Sequence, residues 1–154
     1  MTDVIVLPSI EEILPHRGSM LLLDRVLAFD AETATAEFSP RCDAWYAEPS
    51  GDMPAWIGIE LMAQTVAAHA GLIKGHEGEP PKHGALLGTR RYSSAQPSFP
   101  SGKRLCIQTK MIYRDASGLG GYDCNISIDG KIIATAMLKV FEPDDFKIFL
   151  QASV

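Results

Sequence analysis

The segment running from Pro54 through Trp56, Glu60, Gln64 and His69 to Lys74 constrains this chain more than any other. Its proline suits a first helical turn and Gly75 suits the stop, so the residues from Pro54 to about Lys74 read as one helix. Apolar residues lie nearly all round it. A helix with no polar face has to sit in the middle of a fold, wrapped by other elements.

One position breaks that pattern. Glu60 places a carboxylate in the apolar run, and burying an ionised carboxylate without a partner costs several kcal/mol. At about 100° per residue, Gln64 falls nearly above Glu60 and Trp56 below it, so indole, carboxylate and carboxamide form a column expected to wall a polar site. A carboxyl in apolar surroundings holds its proton more tightly and suits general acid or base work near neutral pH. The other reading is structural, with Glu60 at the helix edge near solvent or paired with an arginine.

The elements around the helix are strands. Ser9 followed by Glu11 and Glu12 predicts a short helix around Ile10–Leu14, stopped by Pro15. Met20–Phe29 and the alternating Thr33–Phe38 read as a hairpin closed near Asp30–Glu32, and residues 39–54 as a loop that packs Trp45 and Tyr46 on something. Gly75–Gly84 is polar and reads as a loop. Beyond it Lys103–Arg114, Gly121–Asp129 and Lys131–Phe141 alternate as strands, and Asp129-Gly130 is a strong hairpin signal. One long helix on an antiparallel sheet of five to six strands is an α+β arrangement. With 154 residues, no repeat and no linker, a single domain over 1–154 is expected.

A hydrophobic fraction of 46%, a charged fraction of 21% and a net charge of -5 describe a globular chain and make nucleic acid an unexpected partner. No run reads as approaching the roughly 18 apolar residues that span a bilayer, and the N-terminus lacks the pattern of a signal peptide. A cytoplasmic location is the default expectation. Cys42, Cys106 and Cys124 show no C-x-x-C spacing and read as buried free thiols. The four histidines show no ligand spacing, so neither a metal nor a cofactor is expected. His69 lies on the far side of the helix from Glu60 and reads as a core or interface residue, while His76 and His83 read as solvated. His16 stands between Pro15 and Arg17, just ahead of a strand.

Three collinear segments carry a family resemblance. Leu14-Pro15-His16-Arg17, followed by Leu22-Leu23-Asp24-Arg25-Val26, resembles the L-P-H-R…L-L-x-D-R-V opening of the 3-hydroxyacyl-acyl-carrier-protein dehydratases of bacterial fatty-acid synthesis. The run Pro54 to Gln64 is similar to that family's P-G-V-x-x-x-E-A-M-A-Q helix, with Glu60 on the family's catalytic acid. Gly88 through Arg90 to Phe99-Pro100-Ser101-Gly102 looks like its glycine strand and V-x-P-G-D turn. Together they cover about Leu14 to Phe141. The stretch that holds the family's G-H-F-P histidine here reads Trp45 to Met53 and contains no histidine. The chain is similar in this to the dehydratase-like proteins encoded with aryl-polyene gene clusters, which carry the helix and also lack that histidine.

The resemblance implies a hotdog fold whose sheet wraps the long helix. It implies a homodimer, or a heterodimer with another hotdog subunit, and acyl carrier protein as the partner that delivers a thioester. Catalysis would fall to Glu60 with Gln64, and His16 is the histidine within the matched segments. Pro54, Ala55 and Trp56, at the helix start, would meet the thioester, the N–H of Ala55 standing where the family's glycine N–H holds the carbonyl. Arg90, Arg91, Lys103 and Arg104 would dock the acidic carrier near the tunnel mouth, or else be ordinary solvated charges. Three activities fit: a dehydratase-type subunit of fatty-acid or aryl-polyene synthesis, an acyl thioesterase using Glu60, or a non-catalytic partner subunit.

Overall fold

A computed structural model describes residues 7–78 and 84–142. Its elements are a helical turn α1 (Ile10–Ile13), strands β1 (Arg25–Phe29), β2 (Thr33–Phe38) and β3 (Met53–Pro54), the long helix α2 (Gly58–His76), then β4 (Ala85–Ser94), β5 (Ser98–Phe99), β6 (Leu105–Arg114), β7 (Leu119–Ile128) and β8 (Lys131–Phe141). Six strands form one antiparallel sheet in the order β1-β2-β6-β7-β8-β4, and β3 pairs with β5 beside it. This is the α+β hotdog arrangement, with α2 as its filling.

Alternation fixes which face of the sheet receives the helix. Ile107 pairs with Ile126, and Tyr122 with Leu138. All four are buried, and they meet Leu61, Met62, Val66 and Leu72 of α2 in one core. The outer face carries the intervening polar residues, among them Lys110 paired with Asp123. Asp129 and Gly130 close the β7–β8 hairpin with φ of 51° and 81°, the left-handed pair that a two-residue turn demands.

Several boundaries depart from expectation for physical reasons. Pro54 belongs to β3, opposite Ser98, and residues 55–57 form a 3-10 turn before the helix proper. The helix runs through Gly75 to His76 and ends on Glu77. Residues 20–24, expected as strand, are not one. The carboxamide Oε1 of Gln64 accepts the N–H groups of Leu22 and Leu23 at 3.0 and 3.3 Å, replacing the sheet ladder there. Strand β4 escaped the alternation pattern because its ladder to β8 shifts register twice, between Leu86 and Gly88 and between Arg90 and Ser93.

By length and composition Ala55–His76 is long and apolar enough to cross a membrane, contrary to the sequence expectation. Here that apolar character serves burial under the sheet. Cys124 is buried, Cys106 half-buried and Cys42 exposed, so the thiols are free but not all buried. His69 is a core residue, its Nε2 donating to the carbonyl of Asp30 at 2.9 Å. His76 is exposed, and His83 lies outside the described residues.

Candidate functional site

Small side chains on α2 create the site. Ala63, Ala67, Ala70 and Gly71 follow Glu60 along one face of the helix, and where they face the sheet they leave space. The result is a cavity of about 310 Å³, walled opposite by Leu86, Gly120, Tyr122 and Val140 and flanked by Ile13, Pro15 and His16. It is mainly apolar. From Glu60 to Gly71 the helix advances about 16 Å at 1.5 Å per residue, so the two mark opposite ends of the row.

His16 and Glu60 meet at one end. The imidazole Nε2 lies 3.8 Å from Glu60 Oε1, an ion-pair distance rather than a hydrogen bond. The segment is held by Arg17, whose Nη1 donates to the carbonyls of Leu14 at 2.6 Å and His16 at 2.7 Å. His16 Nδ1 is buried without a hydrogen-bond partner. Glu60 itself is not buried: its side chain is 42% exposed. The edge reading of Glu60 is therefore correct about position, while its neighbour is a histidine, with no arginine paired to it among the described residues.

Gln64 does not wall the cavity. It is fully buried, and besides accepting from Leu22 and Leu23 its Nε2 donates to Met20 O at 2.7 Å and to Glu60 Oε1 at 3.1 Å. It ties the N-terminal segment to the helix and steadies one carboxylate oxygen. The expected column breaks at its other end too, because Trp56 sits on the 3-10 turn, 66% exposed and off the cavity wall. Pro54 and Ala55 are likewise absent from that wall. The N–H of Ala55, expected to face a thioester carbonyl, donates instead to Pro97 O at 3.0 Å.

Arg90 and Arg91 are not at the cavity mouth. They line a groove on the outer face of the sheet with Lys110, Gln108 and Met137. Arg91 has φ of 56°, within the register shift between Arg90 and Ser93, and the irregularity leaves both arginines exposed in succession. Lys103 and Arg104 are elsewhere, at the start of β6, beside Asp129 at 3.9 Å and Glu37 at 3.4 Å. The basic cluster of the sequence is thus split in two.

Two features carry no sequence signal. Tyr92 on β4 donates its hydroxyl to Ala55 O, clamping the strand to the start of the helix, and burial pushes its phenol up to about 12. At the Gly71 end, Arg114, Glu142 and Tyr122 converge on the cavity. Arg114 Nη2 is 3.3 Å from Glu142 Oε1, and burial pushes the Tyr122 phenol upward. The spacing of small residues at 63, 67, 70 and 71 was the one trace of the cavity available beforehand.

Solved structures carry the same fold. A chain of the dehydratase heterocomplex ApeI:P from Xenorhabdus doucetiae matches with a TM-score of 0.89 and 24% identity, covering 97% of this chain and 100% of that one. The PaaI protein of the Escherichia coli phenylacetic acid degradation operon matches at 0.59 and 14%, over 76% and 81% of the two chains. A mutant thioesterase from Pseudomonas aeruginosa matches at 0.57 and 20%, over 77% and 81%. No curated protein sequence matches. The family model described as ApeP-like, ApeP dehydratase, matches residues 8–151. The chain belongs to the ApeP-like dehydratase family.

Proposed function

We propose that this chain acts on 3-hydroxyacyl thioesters carried by acyl carrier protein, as a dehydratase-type subunit of fatty-acid or aryl-polyene synthesis in the cytoplasm. The observation that carries the reading is the pairing of His16 with Glu60 at one end of an apolar cavity large enough for an acyl chain. Dehydration needs a base for the C2 proton and an acid for the departing C3 hydroxyl. His16 takes the proton from C2, and the freed electron pair forms the C2–C3 double bond as the C3–O bond breaks. Glu60, as the carboxylic acid, protonates the hydroxyl, which leaves as water. The imidazolium then gives its proton to solvent and the carboxylate regains one from it, both side chains being partly exposed, which restores the pair.

A second hotdog subunit is part of this reading. Strand β4 is an edge of the sheet, ten residues long, with Leu86 and Leu87 exposed on it. Such an edge is a template for pairing with another chain. Met20, Trp45 and Trp56 add exposed apolar surface, and the similar chain from Xenorhabdus doucetiae is part of a heterocomplex.

The test is turnover of 3-hydroxyacyl thioesters by the chain, alone and with a partner hotdog subunit, followed as enoyl product and as free thiol. Glu60→Gln and His16→Asn should each keep the fold and lower enoyl formation by about 100-fold or more, the scale of a lost general acid or base. Free thiol in place of enoyl product would make the chain a thioesterase, like the Pseudomonas aeruginosa protein that shares its fold. No turnover by the chain alone, with full turnover by both variants once the partner is added, would leave it a non-catalytic subunit.

A further inference from the structure

The cavity behind Glu60 shares its rear wall with a second, surface cleft. Arg114, Gly118 and Glu142 line both spaces. The second space, also about 310 Å³, opens beside the C-terminal turns of α2, where Ile73, Lys74 and Glu77 stand. An inner cavity of this size is at the small end of ligand sites, which run from roughly 300 to 1,000 Å³. The two in line offer about twice that room.

The partition is made of parts that move differently. Its backbone is pinned: Gly118, at φ of 96°, accepts the N–H of Glu142 at 2.9 Å, and Asp115 Oδ1 receives the N–H groups of Ser117 and Leu119 at 3.0 and 3.1 Å. Its side chains are held less firmly. Glu142 is only 10% exposed, yet its Oε1 accepts no hydrogen bond, and Arg114 faces that atom at 3.3 Å without hydrogen-bond geometry. Arg114, 27% exposed, has solvent on one side into which to swing. An ion pair without directed hydrogen bonds, set in a fixed backbone frame, is a separable wall.

We propose that Arg114 and Glu142 form a rear gate to the acyl cavity. Closed, the pair limits the chain length that fits; parted, it joins the two spaces into one channel through which a longer tail leaves beside the end of α2. The proposal rests on the acyl-thioester reading above, and it assigns the control of chain length to two residues remote from Glu60.

Binding of saturated acyl-pantetheine thioesters, from short to long, to the full chain separates the possibilities by calorimetry. Each methylene that enters an apolar space is worth about fourfold in affinity. For the unaltered protein the gain per methylene should flatten once the tail reaches Arg114. In Arg114→Ala the gain should continue for further methylenes, leaving short chains unchanged and raising affinity for long ones by about tenfold or more. Glu142→Gln, which keeps the volume and removes the charge, should shift the break point in the same direction and serves if Arg114→Ala does not fold. An unmoved break point, or an equal change at every length, overturns the gate and leaves the acyl-thioester reading standing. No binding at any length overturns both.

Discussion

The phenol of Tyr92 occupies the space that a side chain at position 58 would need. A Cβ on Gly58 would collide with its hydroxyl and would come within 3.1 Å of both Ile126 and Phe99. Alanine ordinarily favours a helix over glycine by about 1 kcal/mol, whereas overpacking a core costs about 1–3 kcal/mol. Overpacking wins here, because the hydroxyl is tied to Ala55 O and cannot simply withdraw. Gly58→Ala should lower the melting temperature, and adding Tyr92→Phe should recover part of the loss. Thermal melts of the two variants give the coupling directly, and additive losses would refute it.

Gln64 should prove a stability residue more than a chemical one. Gln64→Leu strands the N–H groups of Leu22 and Leu23 and the carbonyl of Met20, each unmet buried group costing about 1–3 kcal/mol. A fall in melting temperature of about 5 °C or more is expected, at roughly 2–4 °C per kcal/mol for a chain of this size. Gln64→Glu should also destabilise, since it sets a carboxylate against Met20 O and Glu60. A melting temperature unchanged by Gln64→Leu would contradict this assignment.

His69 supplies a pH dependence whose sign follows from its setting. Burial depresses its affinity for a proton below that of an ordinary histidine, near 6.5, outweighing the Asp30 carbonyl that opposes the shift. The unfolded chain therefore takes up a proton near pH 6.5 and the folded one only lower. Its contribution to stability is complete above that pH and is lost as pH falls through the folded value. Urea midpoints should drop between pH 7 and pH 5. His69→Gln should flatten that slope, and an identical slope in the variant would remove His69 from the account.

Carrier docking and chemistry should separate by mutation. Arg90 and Arg91 lie on the outer face of the sheet, whereas the His16–Glu60 pair lies on the helix side. Reversing both arginines to glutamate should leave turnover of a free pantetheine thioester intact. Binding of acyl carrier protein should weaken, more so at low salt. Unchanged carrier affinity at low salt would reduce the two arginines to solvated surface charges.

What the sequence revealed and what it hid follow one line. The all-apolar helix, the Asp129-Gly130 turn and the alternating strands are local patterns, and all appear near their expected places. Glu60 was visible because a charge in an apolar run is conspicuous without knowing its neighbours. Contacts between distant segments were not visible: Gln64 reaching Leu22, Tyr92 reaching Ala55 and Arg114 meeting Glu142 depend on how elements cross. The split of the basic cluster is the same failure in reverse. Arg90 and Arg104 are near in sequence, yet only Arg90 reaches the groove that also holds Lys110.

The Gln64 clasp also bears on the order of folding. Its contacts to Met20, Leu22 and Leu23 join positions 41 to 44 residues apart, so the chain closes a long loop before it gains any of them. The segment carrying His16 is therefore expected to dock late and to be the first part to open, a sub-global unit with its own lower opening free energy. Native-state hydrogen exchange should show the amides of Leu22 and Leu23 releasing well before those of β7. Mild denaturant would then dismantle the His16–Glu60 pair while the sheet is still intact, and any activity that depends on the pair would vanish ahead of the fold.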